Sequence, residues 1–131
     1  MTMSLPHAAP ILLSTDLRAV EQAALRGRNP PSLMALAGLA AADLARKMAG
    51  DNGKPVLILA GPGNNGGDAF IVACHLKQWW FNVTVVCIAD PKRYTGDAAA
   101  ALQAWRKTGG NVESAIPTTP DWALVVDGLF G

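Results

Sequence analysis

The sequence predicts an α/β domain in which a parallel sheet is covered by helices on both faces. Short apolar segments, among them VLILA (56–60) and VTVVCIA (83–89), alternate along the chain with segments of helical pattern. These apolar segments have no polar face, which is typical of parallel strands that are buried on both sides. In open sheets of this kind, ligands bind beyond the carboxyl ends of the strands.

Two helices are predicted ahead of the first strand. Residues 14–16, Ser-Thr-Asp, are N-cap candidates for an amphipathic helix over LRAVEQAALRGR (17–28). The break at Pro30-Pro31 starts a second, alanine-rich helix over 32–50, which ends at Gly50 and the turn after it.

From there strands and helices alternate. The pattern predicts a strand at 56–60, a glycine-rich loop, a helix from about 67 to 79, a strand at 83–89, a helix at 97–109 and a last strand within ALVVDGLFG (123–131). Right-handed crossovers between the strands would follow.

Composition excludes several classes of protein. The net charge is +1 with 16% charged residues, so no broad field is present to attract nucleic acid or an anionic membrane. Residues 1–13 contain too few consecutive apolar residues for a membrane helix and are interpreted as a leader to a domain over 14–131. Two cysteines make no disulfide framework, so a reducing cytoplasm is expected.

The segment GPGNNGGD (61–68) lies between a predicted strand and a predicted helix and places four glycines in eight residues. A P-loop is excluded because Gly67-Asp68 stands where that motif has Lys and Ser/Thr. The dinucleotide fingerprint GxGxxG fits at 61–66, with Asp90 after the next strand as a ribose-binding acid, so an NAD-dependent dehydrogenase is one interpretation. The asparagines and Asp68 instead favour a polar, hydrogen-bonding ligand or a hard cation.

The segments PPSLMALAG, GPGNNGGDAF and VVDGLFG, in this order, resemble the YjeF N-terminal domain family, the NAD(P)H-hydrate epimerases. The resemblance runs from about residue 15 to residue 131. It implies a Rossmann-like three-layer α/β/α sandwich. It also implies an enzyme that interconverts the R and S forms of NAD(P)HX, NAD(P)H hydrated at C6 of the nicotinamide ring, as a damage-repair reaction.

The resemblance also implies site residues. By this resemblance, Asn65 and Asp127 would hold a potassium ion, and Gly131 would be the first position of a further substrate-binding loop. The residues expected to contact the hydrated dinucleotide are Asn64, Asn65, Gly66, Gly67, Asp68 and Gly131.

Two carboxylates are candidates for the catalytic acid or base. Asp127 follows a predicted strand and Asp68 lies at a predicted helix start, where a positioned carboxyl group could move the proton that epimerisation requires. Each also has a structural interpretation. Asp127 could cap the next loop, and Asp68 could be an N-terminal helix cap.

Two positions depart from the family pattern. Ala69 and Trp80 stand where it usually has glycine, and at Trp80 a differently arranged helix end is expected. The family continues beyond DGLFG through a loop, a helix and a strand, so the domain over 14–131 is expected to be incomplete at its C-terminal end.

The resemblance implies partners and leaves alternatives open. A homodimer is expected, together with NAD(P)HX as the small-molecule substrate, and a C-terminal dehydratase domain would accompany the domain in the full-length protein. A non-catalytic nucleotide-binding or scaffold module of the same fold is the alternative function, and the dehydrogenase is the second alternative.

Overall fold

The computed structural model describes residues 32–118 and 121–130. The predicted leader, the predicted helix over 17–28 and Gly131 lie outside these residues.

Three helices and four strands are present in the described residues, and they alternate as the pattern of apolar segments predicts up to the last helix, after which two strands follow in succession. The helices are α1 (Leu33–Ala49), α2 (Asn64–Gln78) and α3 (Gly96–Lys107), with a 3-10 turn at Pro91–Arg93. The strands are β1 (Val56–Ala60), β2 (Val83–Cys87), β3 (Val112–Glu113) and β4 (Leu124–Gly128). The α/β class is confirmed. The prediction was wrong in starting α2 three residues late and in extending β2 to residue 89, and it missed the two-residue β3.

The four strands form one sheet in the order β3-β2-β1-β4, and every neighbouring pair is parallel. β1 is central, with Ala60 paired to Cys87 of β2 on one side and to Gly128 of β4 on the other. The ends of β2, β1 and β4 therefore meet at one edge of the sheet. This arrangement confirms the parallel sheet that the apolar strands predict.

The core lies between this sheet and helices α2 and α3. Val56, Ile58 and Ala60 of β1 are fully buried in the cluster that contains Phe70 and Leu76 of α2. Leu57, which points to the opposite face of β1, is also buried. Burial on both faces is the reason why β1 carries no polar residue.

Helix α1 packs closely on α2 because small residues line its buried side. A Cβ at Gly38 would lie 2.2 Å from the Ile71 side chain of α2, so glycine permits the approach of the two helices. The other buried positions on this side are mostly alanine: Ala42, Ala45 and Ala49. The larger apolar side chains Leu44 and Met48 are exposed.

Helix α2 ends in a Schellman motif with tryptophan in the position that usually holds glycine. Trp80 has a φ of +68° and is 95% exposed. Its N–H donates to the Lys77 carbonyl, and the Phe81 N–H donates to the Leu76 carbonyl. The expectation of a different helix end was wrong, since these two hydrogen bonds hold the same geometry with a non-glycine residue in the left-handed region.

No helix of residues 32–118 and 121–130 combines the length and the hydropathy that a membrane span needs.

Candidate active site

The predicted site lies where β1 and β4 end side by side. In the parallel register Leu59 pairs with Asp127, and Ala60 pairs with Gly128. The N–H of Gly61, one residue past β1, donates to the Gly128 carbonyl at 2.9 Å. Asp127 therefore stands at the same edge of the sheet as the glycine-rich segment that follows β1.

Gly61 is the point of closest packing at this edge. A Cβ at Gly61 would lie 1.9 Å from the carbonyl oxygen of Leu129, and a Cβ at Gly66 would lie 1.9 Å from the carbonyl oxygen of Gly61. Neither distance can accommodate a side chain, so both positions require glycine. The start of α2 and the chain after β4 are thereby packed directly against the residue that follows β1.

Tyr94 holds the Gly61 carbonyl by a buried hydrogen bond. Its hydroxyl donates to the Gly61 oxygen at 2.6 Å and lies 3.2 Å from the Cys87 Sγ. The Tyr94 ring packs edge-on against Phe70 with the ring centroids 5.3 Å apart. Burial, reinforced by the hydrogen bond with Cys87, raises the pKa of the Tyr94 hydroxyl, which remains a protonated donor at neutral pH.

Helix α2 begins at Asn64, so the NNGG part of the predicted loop is the first turn of the helix. Gly63 turns the chain into the helix with a φ of +87°, and no side chain caps the start. The first amide groups of a helix have no intrahelical partner, which applies here to the exposed Asn64, the half-buried Asn65 and the buried Gly66. Asp68 is the fifth helical residue, so its interpretation as an N-terminal cap was wrong.

The side chain of Asn65 connects the helix start to the chain beyond β4. Its Nδ2 donates to the carbonyl oxygen of Phe130. Asn64, one residue earlier, is exposed. One asparagine of the pair thus holds the two segments together, and the other is accessible to a ligand.

Ala69 and Gly128 fit together as a small pair. A Cβ at Gly128 would lie 2.7 Å from the Ala69 Cβ and 2.9 Å from the Asn65 carbonyl oxygen. Because Gly128 has no side chain, α2 carries alanine at position 69 and still approaches β4. The departure of Ala69 from the family pattern is therefore accommodated.

Asp127 has a structural contact and a free oxygen. Its Oδ1 accepts from the Leu129 N–H at 3.0 Å, which stabilises the turn after β4. The residue is exposed, and no other described hydrogen bond or ion pair involves its carboxylate. The turn-capping interpretation is thus correct for one oxygen and leaves the second available.

Asp68 is half-buried, and among the described residues its carboxylate makes no hydrogen bond or ion pair. The three ion pairs of this part of the chain involve Asp43 and Asp121 instead. Burial raises the pKa of this carboxyl group above its usual value of 3.8. A desolvated acid that no described residue partners, close to a helix start, is a feature that functional sites often show.

The structure thus brings together most of the predicted site. Asn65 meets the segment after Asp127 through Phe130, and Gly66 packs against Gly61. Gly131 lies outside the described residues, so its predicted substrate contact stays a prediction. Sequence reasoning missed Tyr94, because nothing local in PKRYTG indicates that its hydroxyl reaches the residue after β1.

The fold and this edge define the class of the protein, an α/β domain whose candidate ligand site lies at the carboxyl ends of parallel strands. Residues 31–131 match the family model described as YjeF-related protein N-terminus. The chain therefore belongs to the YjeF N-terminal family. The resemblance stated on its motifs is confirmed.

Three relatives of this chain support the assignment to the YjeF N-terminal family. The NAD(P)H-hydrate epimerase of Bordetella pertussis is 48% identical over 118 residues, which are 88% of this chain and 49% of the relative. The NAD(P)H-hydrate epimerase of Rhodobacter capsulatus is 36% identical over 92% of this chain and 61% of its own length. The bifunctional NAD(P)H-hydrate repair enzyme of Leishmania infantum is 38% identical over 88% of this chain and 22% of its own length. The chain spans about half the length of the Bordetella relative.

A solved structure has the same fold. The crystal structure of yeast ynu0, YNL200c, superposes with a TM-score of 0.69 at 28% identity, covering 92% of this chain and 56% of the yeast chain. This likeness confirms the Rossmann-like α/β sandwich.

Tyr94→Phe tests the anchor of the site. The substitution leaves the Gly61 carbonyl buried without its donor, so we expect the free energy of unfolding to fall by about 1–3 kcal/mol. Urea unfolding measures this change. Thr108→Val removes a hydroxyl that donates to the Trp105 carbonyl far from the site, and as a control it should leave the amide spectrum of residues 61–67 unchanged. Equal stability of Tyr94→Phe and the wild type would contradict the anchor.

Asp68→Asn tests whether the Asp68 charge disfavours folding. Because the folded pKa is raised, the unfolded state releases the proton first, and the penalty grows as the pH rises from 3.8 through the folded pKa. We expect Asp68→Asn to raise the Tm at pH 7 and to leave it unchanged at pH 3. Asp51→Asn, in an exposed turn, is the control at both values. A Tm gain of the same size at both pH values would contradict the assignment.

Proposed function

We propose that the chain carries the site of an epimerase that interconverts the R and S forms of NAD(P)HX. The observation that carries the proposal is the edge where the NNGGD helix start packs against the end of β4, tied by Asn65 and Phe130. The names of the Bordetella and Rhodobacter relatives support the same activity. The substrate is the hydrated dinucleotide.

The helix start supplies the groups that bind such a ligand. Asn64 is exposed and offers an amide, which can both donate to and accept from hydroxyl and amide groups. The free N–H groups of the first turn of α2 favour an oxygen-rich or anionic group at this point. Asn65, Gly66 and Gly67 would contact the ligand mainly through the backbone.

Asp127 and Asp68 are the proposed catalytic groups. Epimerisation at C6 requires the carbon–oxygen bond to loosen, or the ring to open, while a positioned acid or base moves a proton. The raised pKa of Asp68 is closer to neutral pH than that of an ordinary aspartate, which suits a group that moves a proton in catalysis. Asp127, exposed at the strand end, would be the second positioned carboxyl group.

Potassium is the proposed ion of this site. The donors that the residues offer are oxygens, which suit a hard cation. Asn65 uses its Nδ2 on Phe130, so its Oδ1 is left for an ion, and Asp127 has one oxygen that no described group engages. A bound ion would supply positive charge beside the ligand and beside Asp127.

A homodimer is the proposed assembly. The exposed face of α1 carries Leu36, Leu44 and Met48 at intervals of four or eight residues, which places them on one side of the helix. Exposed apolar stripes of this kind commonly mark interfaces between subunits. Light scattering of the purified chain, whose monomer mass is 13.7 kDa, distinguishes a dimer from a monomer.

Further partners and the location follow the same reasoning. The Leishmania relative is named a bifunctional enzyme, and this name supports a second catalytic domain in the full-length protein. The resemblance implies that this second domain is a dehydratase. Cys74 and Cys87 are both free thiols, in keeping with the cytoplasm as the proposed compartment. The family assignment favours the epimerase over a dehydrogenase.

The test is the interconversion rate of R- and S-NADHX, with potassium and with sodium in its place. Asp127→Asn keeps the acceptor for the Leu129 N–H, and Asp68→Asn keeps the shape of the side chain. We expect at least one of them to lower the rate by about 10²- to 10⁴-fold and sodium to lower the wild-type rate. Asp51→Asn is the control. The measurement uses this chain and a chain extended to the length of its Bordetella relative.

Interconversion at the uncatalysed rate in both chains would contradict the proposal. Binding of the hydrated dinucleotide without turnover in both chains would instead support the non-catalytic module.

A further inference from the structure

A cavity of about 450 Å³ lies between the chain that follows β2 and helix α3, and we call it the β2 pocket. Its apolar lining comes from the Tyr94 ring, Ala99 and Leu102. Its polar lining comes from Lys92, Gln103 and Arg106. The pocket thus has two parts. One is an apolar surface on which a ring could pack, and the other carries two positive charges, those of Lys92 and Arg106.

The two cations of the β2 pocket are not neutralised by the described residues. The ion pairs of the described residues join Asp43 to Arg46, Asp43 to Lys47 and Lys54 to Asp121, and none involves Lys92 or Arg106. Both side chains belong to exposed residues. A phosphate group between a lysine and an arginine would form charge-assisted hydrogen bonds with both.

Asp90 is the one acid that lines the pocket. Its Oδ1 accepts from the Lys92 N–H at 3.0 Å and caps the 3-10 turn at Pro91–Arg93. This contact occupies one carboxylate oxygen and holds the backbone of Lys92, two residues later, at the start of the pocket. In dinucleotide-binding folds an acid after the second strand binds the ribose 2′-hydroxyl, whereas a nearby basic residue accommodates a 2′-phosphate. Here the backbone contact leaves the second oxygen of the acid available, and two basic residues line the same pocket and outnumber the acid.

The β2 pocket is adjacent to the candidate active site. Tyr94 lines the pocket, and its hydroxyl donates to the Gly61 carbonyl three residues before Asn64. Cys87 at the end of β2 pairs with Ala60 at the end of β1, so the two strands end side by side. A dinucleotide lying along this edge can place its hydrated ring at the start of α2 and its adenosine at the β2 pocket.

We propose that the β2 pocket binds the adenosine end of the substrate through its 2′-phosphate, with Lys92 and Arg106 as the phosphate ligands, so that the enzyme prefers NADPHX to NADHX. The inference rests on the proposed function and specifies its substrate. It assigns the preference to residues that lie outside the NNGGD helix start and the end of β4.

Binding of adenosine nucleotides tests the pocket without the reaction. By titration calorimetry at fixed salt, 2′,5′-ADP should bind about tenfold more tightly than 5′-ADP, which has the same number of phosphates. Lys92→Ala and Arg106→Ala should each remove this difference and leave 5′-ADP binding unchanged. Arg93→Ala and Lys107→Ala remove neighbouring exposed charges that do not line the pocket, and they should retain the difference. Circular dichroism checks that all four variants fold.

Two results would overturn the inference. One is equal affinity for 2′,5′-ADP and 5′-ADP in the wild type. The other is an equal loss of 2′,5′-ADP binding in the control variants, which would show a general effect of net charge.

Kinetics provides a second readout. The ratio of kcat/KM for NADPHX to that for NADHX should fall about tenfold in Lys92→Ala, through a raised KM for NADPHX alone. Selective 2′,5′-ADP binding in a chain that does not epimerise would support the pocket and contradict the proposed function. Epimerisation with no preference and no selective binding would support the proposed function and overturn the pocket.

Discussion

The packing of three backbone segments at Gly61 is the constraint on which the rest of the site depends. The Gly61 N–H bonds to Gly128, its carbonyl accepts from Tyr94, and there is no space for a Cβ against Leu129. Gly66 lies against the same carbonyl, so the helix start cannot move away from the strand ends without breaking these contacts. A rigid backbone junction of this kind can hold ligand-binding groups in place although they lie on short, polar segments.

Local pattern was sufficient for much of the fold. β1 was predicted to the residue because its apolar run is bounded by Pro55 and Gly61. The helix α1 was predicted to within one residue at each end, because its alanine-rich segment has clear ends. The start of α2 was not predictable in the same way. Asn64 to Gly67 have low helix propensity, and they are helical because Gly63 turns the chain and tertiary contacts hold the glycines.

The residues of the candidate site were predicted mainly from motifs. The contacts between these residues were not predictable from motifs or from the pattern of apolar segments. Asn65 and Asp127 were named as neighbours, whereas the bond from Asn65 to Phe130 and that from Tyr94 to Gly61 join residues far apart in the chain. Such contacts depend on strand order and register, which local sequence does not determine. Asp68 shows the reverse case. The burial of its carboxylate disfavours the charge, and an unfavourable charge at a candidate ligand edge is typical of functional rather than stabilising residues.

The central claim is that the hydrated dinucleotide binds where the start of α2 meets the end of β4. Titration of the isotopically labelled chain with R- and S-NADHX, followed by amide chemical shifts, tests it most directly. The account predicts the largest shifts at Asn64 to Gly67 and at Asp127 to Leu129. Shifts confined to residues 79–82, which line a separate cavity together with residues 50–54, would contradict it.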